Sequence, residues 1–359
     1  DLGGQVSPWV NRAGKSVLEA PEPKWALGQP VLTLAPQTVT VPAGKSITVT
    51  LRQPVVGKLR LWSPESPNLY GMVVSVRQGA KIIDRKYTRF GWREFTSVGN
   101  RYLLNGKPLE LRGDSWHFMG IPQMTRRYAW AWYRALKDGN GNAVRLHAQP
   151  YPAFYLDMAD EMGVCVLDET AIWGSDAGHA YDNPEFWNRA DDHVRRLILR
   201  DRNHPSVMGW SVSNELAWYV DGKHPQLMER LKQGWKTWLT TAQTLDPSRP
   251  WVSTDGDNDA TGIMPTSISH YASSKSIVRD NKPFGQGETG GAYYATPKQA
   301  APFGGPRAYE SQQGRMEAIA REAYQLLKEQ RAVNASYVSV FNLVWYGLQP
   351  LEFGLPDTT

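Results

Sequence analysis

From Leu109 onward the chain repeats one rhythm: a short apolar run of strand length, then a segment with helical spacing. The runs are Leu109–Gly113, Ala143–His147, Val164–Glu169, Val207–Glu215, Trp251–Thr254, Ser267–Tyr271, Pro283–Glu288 and Tyr337–Trp345. Helical spacing lies between many of them. Thr125 caps a stretch whose Ala129, Trp132, Tyr133 and Leu136 share a face before Gly139. Pro152 opens another, with Tyr155, Met158, Ala159 and Met162 ahead of Gly163. Further helices are expected from Asn183-Pro184 through Ile198, over Leu227 to Ala242, and over Ala308–Arg331. Strands alternating with helices demand a parallel sheet covered on its outer face, and eight of them close into a (β/α)8 barrel. An open doubly wound sheet is the competitor, but no glycine-rich phosphate loop follows the first strand. Little chain follows the eighth strand, so a closing helix is missing or short, and truncation at either end is compatible with the pattern.

The first ~95 residues have another texture. Ile47–Leu51, Leu59–Leu61 and Val74–Val76 alternate with period two, with turns at Pro42-Ala43-Gly44 and Gln78-Gly79-Ala80. This predicts a small all-β, immunoglobulin-like sandwich over 21–95, ahead of a barrel over 96–359. Residues 1–20 fit no element.

Composition narrows the function. No apolar run approaches the ~18–20 residues of a membrane span. The net charge of +5 comes from dispersed Lys and Arg, without the basic, aromatic-laced patch of a nucleic-acid binder. A lone cysteine, Cys165, rules out an internal disulfide and reads as a core residue. No secretory segment opens the chain, so none existed or it has been removed; a periplasmic or secreted setting is preferred to a cytoplasmic one. Fifteen tryptophans suit flat sugar faces, and equally a large packed barrel.

Function in a barrel sits at the C-terminal ends of the strands. Those ends carry Asp114 and His117, Arg145 and His147, Asp168 and Glu169, Asn214 and Glu215, Asp255, His270 and Tyr271, Glu288, and Trp345. Two glutamates stand out because each closes an apolar run. A carboxyl beside the Asn214 amide suits Glu215 to general acid work. Glycines around Glu288 would let a substrate approach a nucleophilic carboxylate. Paired carboxylates on one bond are the chemistry of glycoside hydrolysis. The blander readings are a rim ion pair for Glu215 and a solvated loop acid for Glu288. Arg145, inside an apolar strand, needs a buried partner: Glu288, or structurally Asp168 or Glu169. Tyr271 could donate to the same nucleophile or fill the core. Trp345 could be a sugar platform or packing. His147, His117, Asp114 and Asp168 read equally as substrate contacts or rim structure.

These stretches together resemble glycoside hydrolase family 2. Trp62–Tyr70 and Phe90–Glu94 are similar to the end of that family's immunoglobulin-like domain, and Leu104–Pro108 with Leu111–Gly113 to its first barrel hairpin. Asn142–Arg145, Phe154 to Asp160 and Val166–Glu169 are similar to the second and third barrel units. Asn203-His204-Pro205-Ser206 before Trp210–Glu215 is the most specific match. The resemblance covers roughly 30–350. It implies that Glu215 is the acid/base and Glu288 the nucleophile of a retaining mechanism, that Asn214 binds the sugar 2-hydroxyl, and that Arg145 and Tyr271 orient Glu288.

Three departures shape the expected function. No jelly roll is readable before the sandwich. Trp173 stands where β-galactosidase members place a cation-binding Glu, so no cofactor or metal is expected. The Asn-x-Lys of β-glucuronidase members is found only in the hairpin at Asn105-Gly106-Lys107, the wrong place. The resulting expectation is an exo-β-glycosidase acting on oligo- or polysaccharide ends, with β-galactoside ahead of mannoside, glucuronide or pentofuranoside. A non-catalytic carbohydrate-binding barrel is the competing class. No nucleic-acid or membrane partner is expected, and homo-oligomerisation stays open.

Overall fold

The computed structural model describes residues 1–10, 26–57, 59–118, 120–174, 181–291 and 296–342. At the N-terminus β1 (Leu2–Val10) pairs antiparallel with β2 (Ala26–Leu27), β3 (Leu32–Gln37) and β4 (Tyr70–Gln78), and β4 continues through a hairpin into β5 (Lys81–Phe90). The expectation that residues 1–20 form no element is therefore corrected: Leu2–Val10 is the strand around which this sheet is assembled. Its glycines hid it. A Cβ at Gly4 would stand 3.0 Å from the Leu34 side chain, so the strand is kept thin where its neighbour's side chain crosses. Conversely, Ile47–Leu51 and Leu59–Leu61 form no strands, and Ile47 and Leu61 are exposed. Alternation makes a strand only where a second surface buries one of its faces.

A three-stranded meander follows: β6 (Phe95–Val98), β7 (Arg101–Leu104) and β8 (Lys107–Leu109). Asn105 and Gly106, both at positive φ, make the expected tight turn. This meander floors the barrel. Its Phe95, Tyr102 and Leu104 pack with Leu111, Cys165, Met208, Trp251 and Tyr337 from the barrel and with Trp62 and Leu69 from the N-terminal domain.

The barrel strands are β9 (Leu111–His117), β10 (Ala143–His147), β11 (Cys165–Glu169), β12 (Val207–Asn214), β13 (Trp251–Asp255), β14 (Ser267–His270), β15 (Phe284–Glu288) and β16 (Tyr337–Val340). They form one parallel eight-stranded sheet in the order β13-β12-β11-β10-β9-β16-β15-β14. The seam between its two ends, β13 and β14, has no continuous ladder. Isolated bridges from Gly256 and Asp257 to Ser269, and a Gly256 N–H to Ile268 carbonyl bond of 3.0 Å, close it.

Helices α1 (Arg126–Asp138), α2 (Ala153–Met162), α3 (Pro184–Asp201), α4 (Leu216–Lys223), α5 (Met228–Leu245), α6 (Pro297–Gly304), α7 (Arg307–Glu310) and α8 (Gln312–Ala332) cover the outside. Thr125 caps α1 by accepting from the Tyr128 N–H, and the four residues expected on its inner face are buried. The single helix expected over Ala308–Arg331 is two, because extended Ser311 interrupts it and caps α8. Alternation also breaks on one side: residues 256–266 and 271–283 contain no helix.

One buried cluster ties the N-terminal domain to the barrel wall. Arg89 meets Asp157 at 2.8 Å, Asp160 at 3.7 Å, and Glu161. Asp160 also binds His204 at 2.7 Å and the Ser206 hydroxyl at 2.6 Å. Alongside, Arg93 donates to the Pro205 and Val207 carbonyls. The Asn203-His204-Pro205-Ser206 stretch thus acts at this junction rather than at the catalytic end.

Candidate active site

Inside a barrel only alternate residues of each strand reach the lumen. On β10 these are Ala143, Arg145 and His147, and on β11 Cys165, Leu167 and Glu169, while Val144 and Val166 join the helix-facing core. Two bulges then reset the aim of the residues beyond them. On β12, Ser211 pairs with Ser253 but Ser213 with Thr254, so Val212 is extra. Ser211 faces inward to Glu169 and Ser213 outward to the Trp235 indole, which returns Asn214 to the inside. On β15, Gln286 pairs with Ser269 and Glu288 with His270, so Gly287 is extra. Bulges beside a functional site re-aim a side chain in this way.

Arg145 is the centre of the cluster and is fully buried. It donates to Glu169 (2.8 and 3.1 Å), Glu288 (2.7 Å), Asn214 Oδ1 (2.5 Å) and Ser115 (3.2 Å). Asp255 lies 3.0 Å from its Nε, at ion-pair distance but without hydrogen-bond alignment. Burial opposes the charge on Arg145, and the Glu169, Asp255 and Glu288 carboxylates outweigh it.

Glu288 accepts from Arg145 on one oxygen and from the Tyr271 hydroxyl, at 2.8 Å, on the other. Burial alone would raise its pKa, but His270, His147 and Arg145 hold the carboxyl well below the usual range, so it is an anion. Glu215 bonds His270 Nδ1 at 2.7 Å. One oxygen of Glu215 and one of Glu288 lie within 4.8 Å of each other. Glu215 and Tyr271 both carry left-handed backbone (φ 54° and 50°). For side chains of this size that costs on the order of 1–3 kcal/mol each and marks positions over-determined by their surroundings. His147 reaches Glu169 at 3.1 Å, and His117 packs edge-on against it at 4.4 Å. Burial and the neighbouring His147 push His117 down to about 3, so that ring is neutral.

The structure therefore brings together Glu215, Glu288, Asn214, Arg145, Tyr271, His147 and His117. Two expected residues are elsewhere. Asp114 faces the helices and accepts from the Trp116 indole at 2.6 Å, beneath the Trp116–Trp132 stack. Asp168 points towards Asp201 of α3; burial and that like-charged neighbour raise it well above the ordinary range. Both fail for one reason: on a parallel strand each face is buried, so the polar residue one step off in register points away from the lumen. Trp345 lies outside the described residues. Glu169, Asp255 and His270, expected at strand ends but given no part in the site beyond Glu169 as a structural partner of Arg145, also belong to the cluster. The signal that places them inside is their two-residue offset from inward neighbours such as Leu167, Ser253 and Ile268.

Glu215, His270 and Glu288 stand close enough to share a cation, but their ligand atoms already serve protein partners. Glu288 has both oxygens committed to protein donors, and Glu215 is paired to His270. A second His–carboxylate group among the described residues, Asp157, Asp160 and His204, is filled by Arg89.

A (β/α)8 barrel behind an all-β domain, with two glutamates converging at the C-terminal ends of its strands, defines a class of glycosidase-like barrel. Residues 98–283 match the family model for glycosyl hydrolases family 2, TIM barrel domain, and residues 25–93 that for glycosyl hydrolases family 2. The chain belongs to glycosyl hydrolases family 2. A Formosa agariphila protein provisionally named a β-glucuronidase is 33% identical over 232 residues, which are 62% of this chain and 20% of that protein. A β-galactosidase of Priestia megaterium is 31% identical over 196 residues, 50% of this chain and 19% of that enzyme. The chain thus spans about a fifth of the length of these relatives. Among solved structures, Bifidobacterium dentium β-glucuronidase complexed with coumarin-3-O-glucuronide superposes with a TM-score of 0.69 at 18% identity, covering 95% of this chain and 54% of that one. Parabacteroides merdae β-glucuronidase gives 0.67 at 20% identity, covering 95% and 42%. At such identities the likeness is one of fold.

Proposed function

We infer that this chain carries the chemistry of a retaining β-glycosidase. The observation that carries the reading is the approach of Glu215 and Glu288, within 4.8 Å oxygen to oxygen. Carboxyl groups ~5–5.5 Å apart suit a double displacement, whereas ~6.5–9.5 Å leaves room for the water of an inverting mechanism. Glu288, ionised and fixed by Arg145 and Tyr271, attacks the anomeric carbon. Glu215 protonates the departing oxygen, then deprotonates the water that cleaves the glycosyl–Glu288 ester. Asn214, with Oδ1 committed to Arg145, turns its amide nitrogen to the sugar 2-hydroxyl.

The sugar is drawn from two readings. The Glu169 and Glu288 carboxylates stand beside one guanidinium with a third carboxyl, Asp255, that burial raises, and a site lined by acidic groups in this way favours a neutral sugar such as a β-galactoside. The 33% identical relative, provisionally named a β-glucuronidase, favours a glucuronide. Paired assays on 4-nitrophenyl β-galactoside and β-glucuronide decide between them. Glu288→Ala should lose most turnover and regain it with azide, yielding the α-glycosyl azide. A β-configured azide product, or turnover at the wild-type rate, would refute the assignment. Sugar binding without turnover by the unaltered protein would favour a binding barrel instead.

A further inference from the structure

Among the described residues, His270 is the imidazole placed between the two glutamates, and neither role above uses it. Its Nδ1 is 2.7 Å from Glu215 and 3.7 Å from Glu288. The ring is 3% exposed at its side chain, while Glu215 in front of it is 34% exposed. Its slot is built from missing side chains. A Cβ on Gly256 would stand 2.7 Å from Nδ1 and 2.6 Å from Glu215 Cγ, and one on Gly287 would stand 2.7 Å from Nε2. The bulge residue Gly287 thus re-aims Glu288 and also clears space for the imidazole behind it.

The surrounding charges favour a proton there. Glu215, from the start of α4, and Glu288 on β15 face the ring and raise its pKa; Asp255 and Asp257 at the end of β13 also lie near it, but burial raises both carboxyls, Asp257 to about 7. Arg145 on β10 is the opposing cation, and the Tyr271 hydroxyl, next along the chain, donates to Glu288. Arg145 is already matched against Glu169, Asp255 and Glu288.

We propose that His270 is a positioning residue that shares one proton with Glu215, the pair acting as a single acid/base. This rests on the glycosidase reading. In the resting pair the proton sits on Nδ1 and Glu215 is a carboxylate. As the glycosidic bond breaks, the ring passes its proton to Glu215, which hands it to the leaving oxygen, so that the ring becomes neutral and Glu215 is again a carboxylate, while Glu288 bonds to the anomeric carbon. In the second step water loses a proton to Glu215, its oxygen bonds to the anomeric carbon, the Glu288 ester bond breaks, and the proton passes back to Nδ1. Burial disfavours the charged ring, yet Glu288 and the bond to Glu215 outweigh it and lift His270 above the ordinary histidine value.

The test uses the intact chain, with His270→Asn, whose amide nitrogen takes the place of Nδ1 but does not titrate. On an aryl β-glycoside that the unaltered protein hydrolyses, the basic limb of kcat/KM against pH should fall by at least about one pH unit. An unmoved basic limb in a variant of unchanged circular dichroism overturns the proposal. A second measurement needs no turnover: the 15N shifts of the His270 ring in the unaltered protein and in Glu215→Gln. The ring should titrate at least about one unit lower in the variant; equal titration overturns the shared proton. Coupled titration without hydrolysis of any glycoside would retain the pair and sink the glycosidase reading, so the two failures are separable.

Discussion

Arg145 does at the residue scale what no surface arginine could. It donates to Glu288, Glu169 and the Asn214 amide oxygen from one guanidinium plane, and so supplies the cation that two buried carboxylates share. Tyr271 supplies the remaining donor to Glu288. Tyr271→Phe removes one charge-assisted hydrogen bond, worth about 1.5–3 kcal/mol. If that bond helps to hold the nucleophile for attack, kcat should fall roughly 10–150-fold with a small change in KM. Steady-state kinetics on an aryl glycoside check it, and an unchanged kcat would mean that Arg145 alone positions Glu288. The residue scale also shows what a sequence reveals. Arg145 inside an apolar run is legible as a cation needing a partner. Whether that partner is Glu169 or Asp168 is not, because neighbours on a strand buried on both faces carry the same hydrophobic signal. Bulges at Val212 and Gly287 add a shift of register that leaves no mark in composition.

Among the elements, helices with caps and glycine stops were the most legible: Thr125 to Gly139 and Pro152 to Gly163 fold as expected. The N-terminal sheet was the least, since Leu2–Val10 is interrupted by glycines and proline while Ile47–Leu51 alternates without a surface to lie on. Arg89 on β5 makes the strongest claim between elements. Arg89→Ala would leave Asp157, Asp160 and Glu161 buried without their shared cation and should destabilise the protein by about 3–5 kcal/mol. Denaturant unfolding measures this, and a loss within the ordinary surface range would show that the cluster relaxes. The cluster is also pH-dependent in a definite sense. Burial would raise Asp160, but His204 and Arg89 depress it, so its contribution is present above about pH 4 and lost as pH falls through the lowered value. Burial would lower His204, but Asp160 raises it, so its contribution is complete below about pH 6.5 and lost as pH rises through the raised value. The stability gap between the unaltered protein and His204→Gln should therefore be widest between about pH 4 and 6.5 and narrow above neutrality. A gap that grows with pH would contradict the assignment.

At the scale of the whole molecule, the buried cluster shared by Trp62, Leu69, the meander and the barrel floor leaves no plane along which the N-terminal domain can part from the barrel without exposing tryptophan. Calorimetry should record one unfolding transition for both; two resolved transitions would mean that this core is not energetically shared. The barrel itself is stitched unevenly. Among the described residues, seven of its neighbouring strand pairs are laddered, while β13 and β14 meet through isolated bridges and backbone bonds to the Ile268 carbonyl. That seam falls between the strand leading to Glu215 and the strand ending in Glu288, and the Glu215–His270 bond crosses it. The barrel is thus least stitched between the strands that carry the two carboxylates, and the imidazole that bonds Glu215 also stands 3.7 Å from Glu288 across that gap.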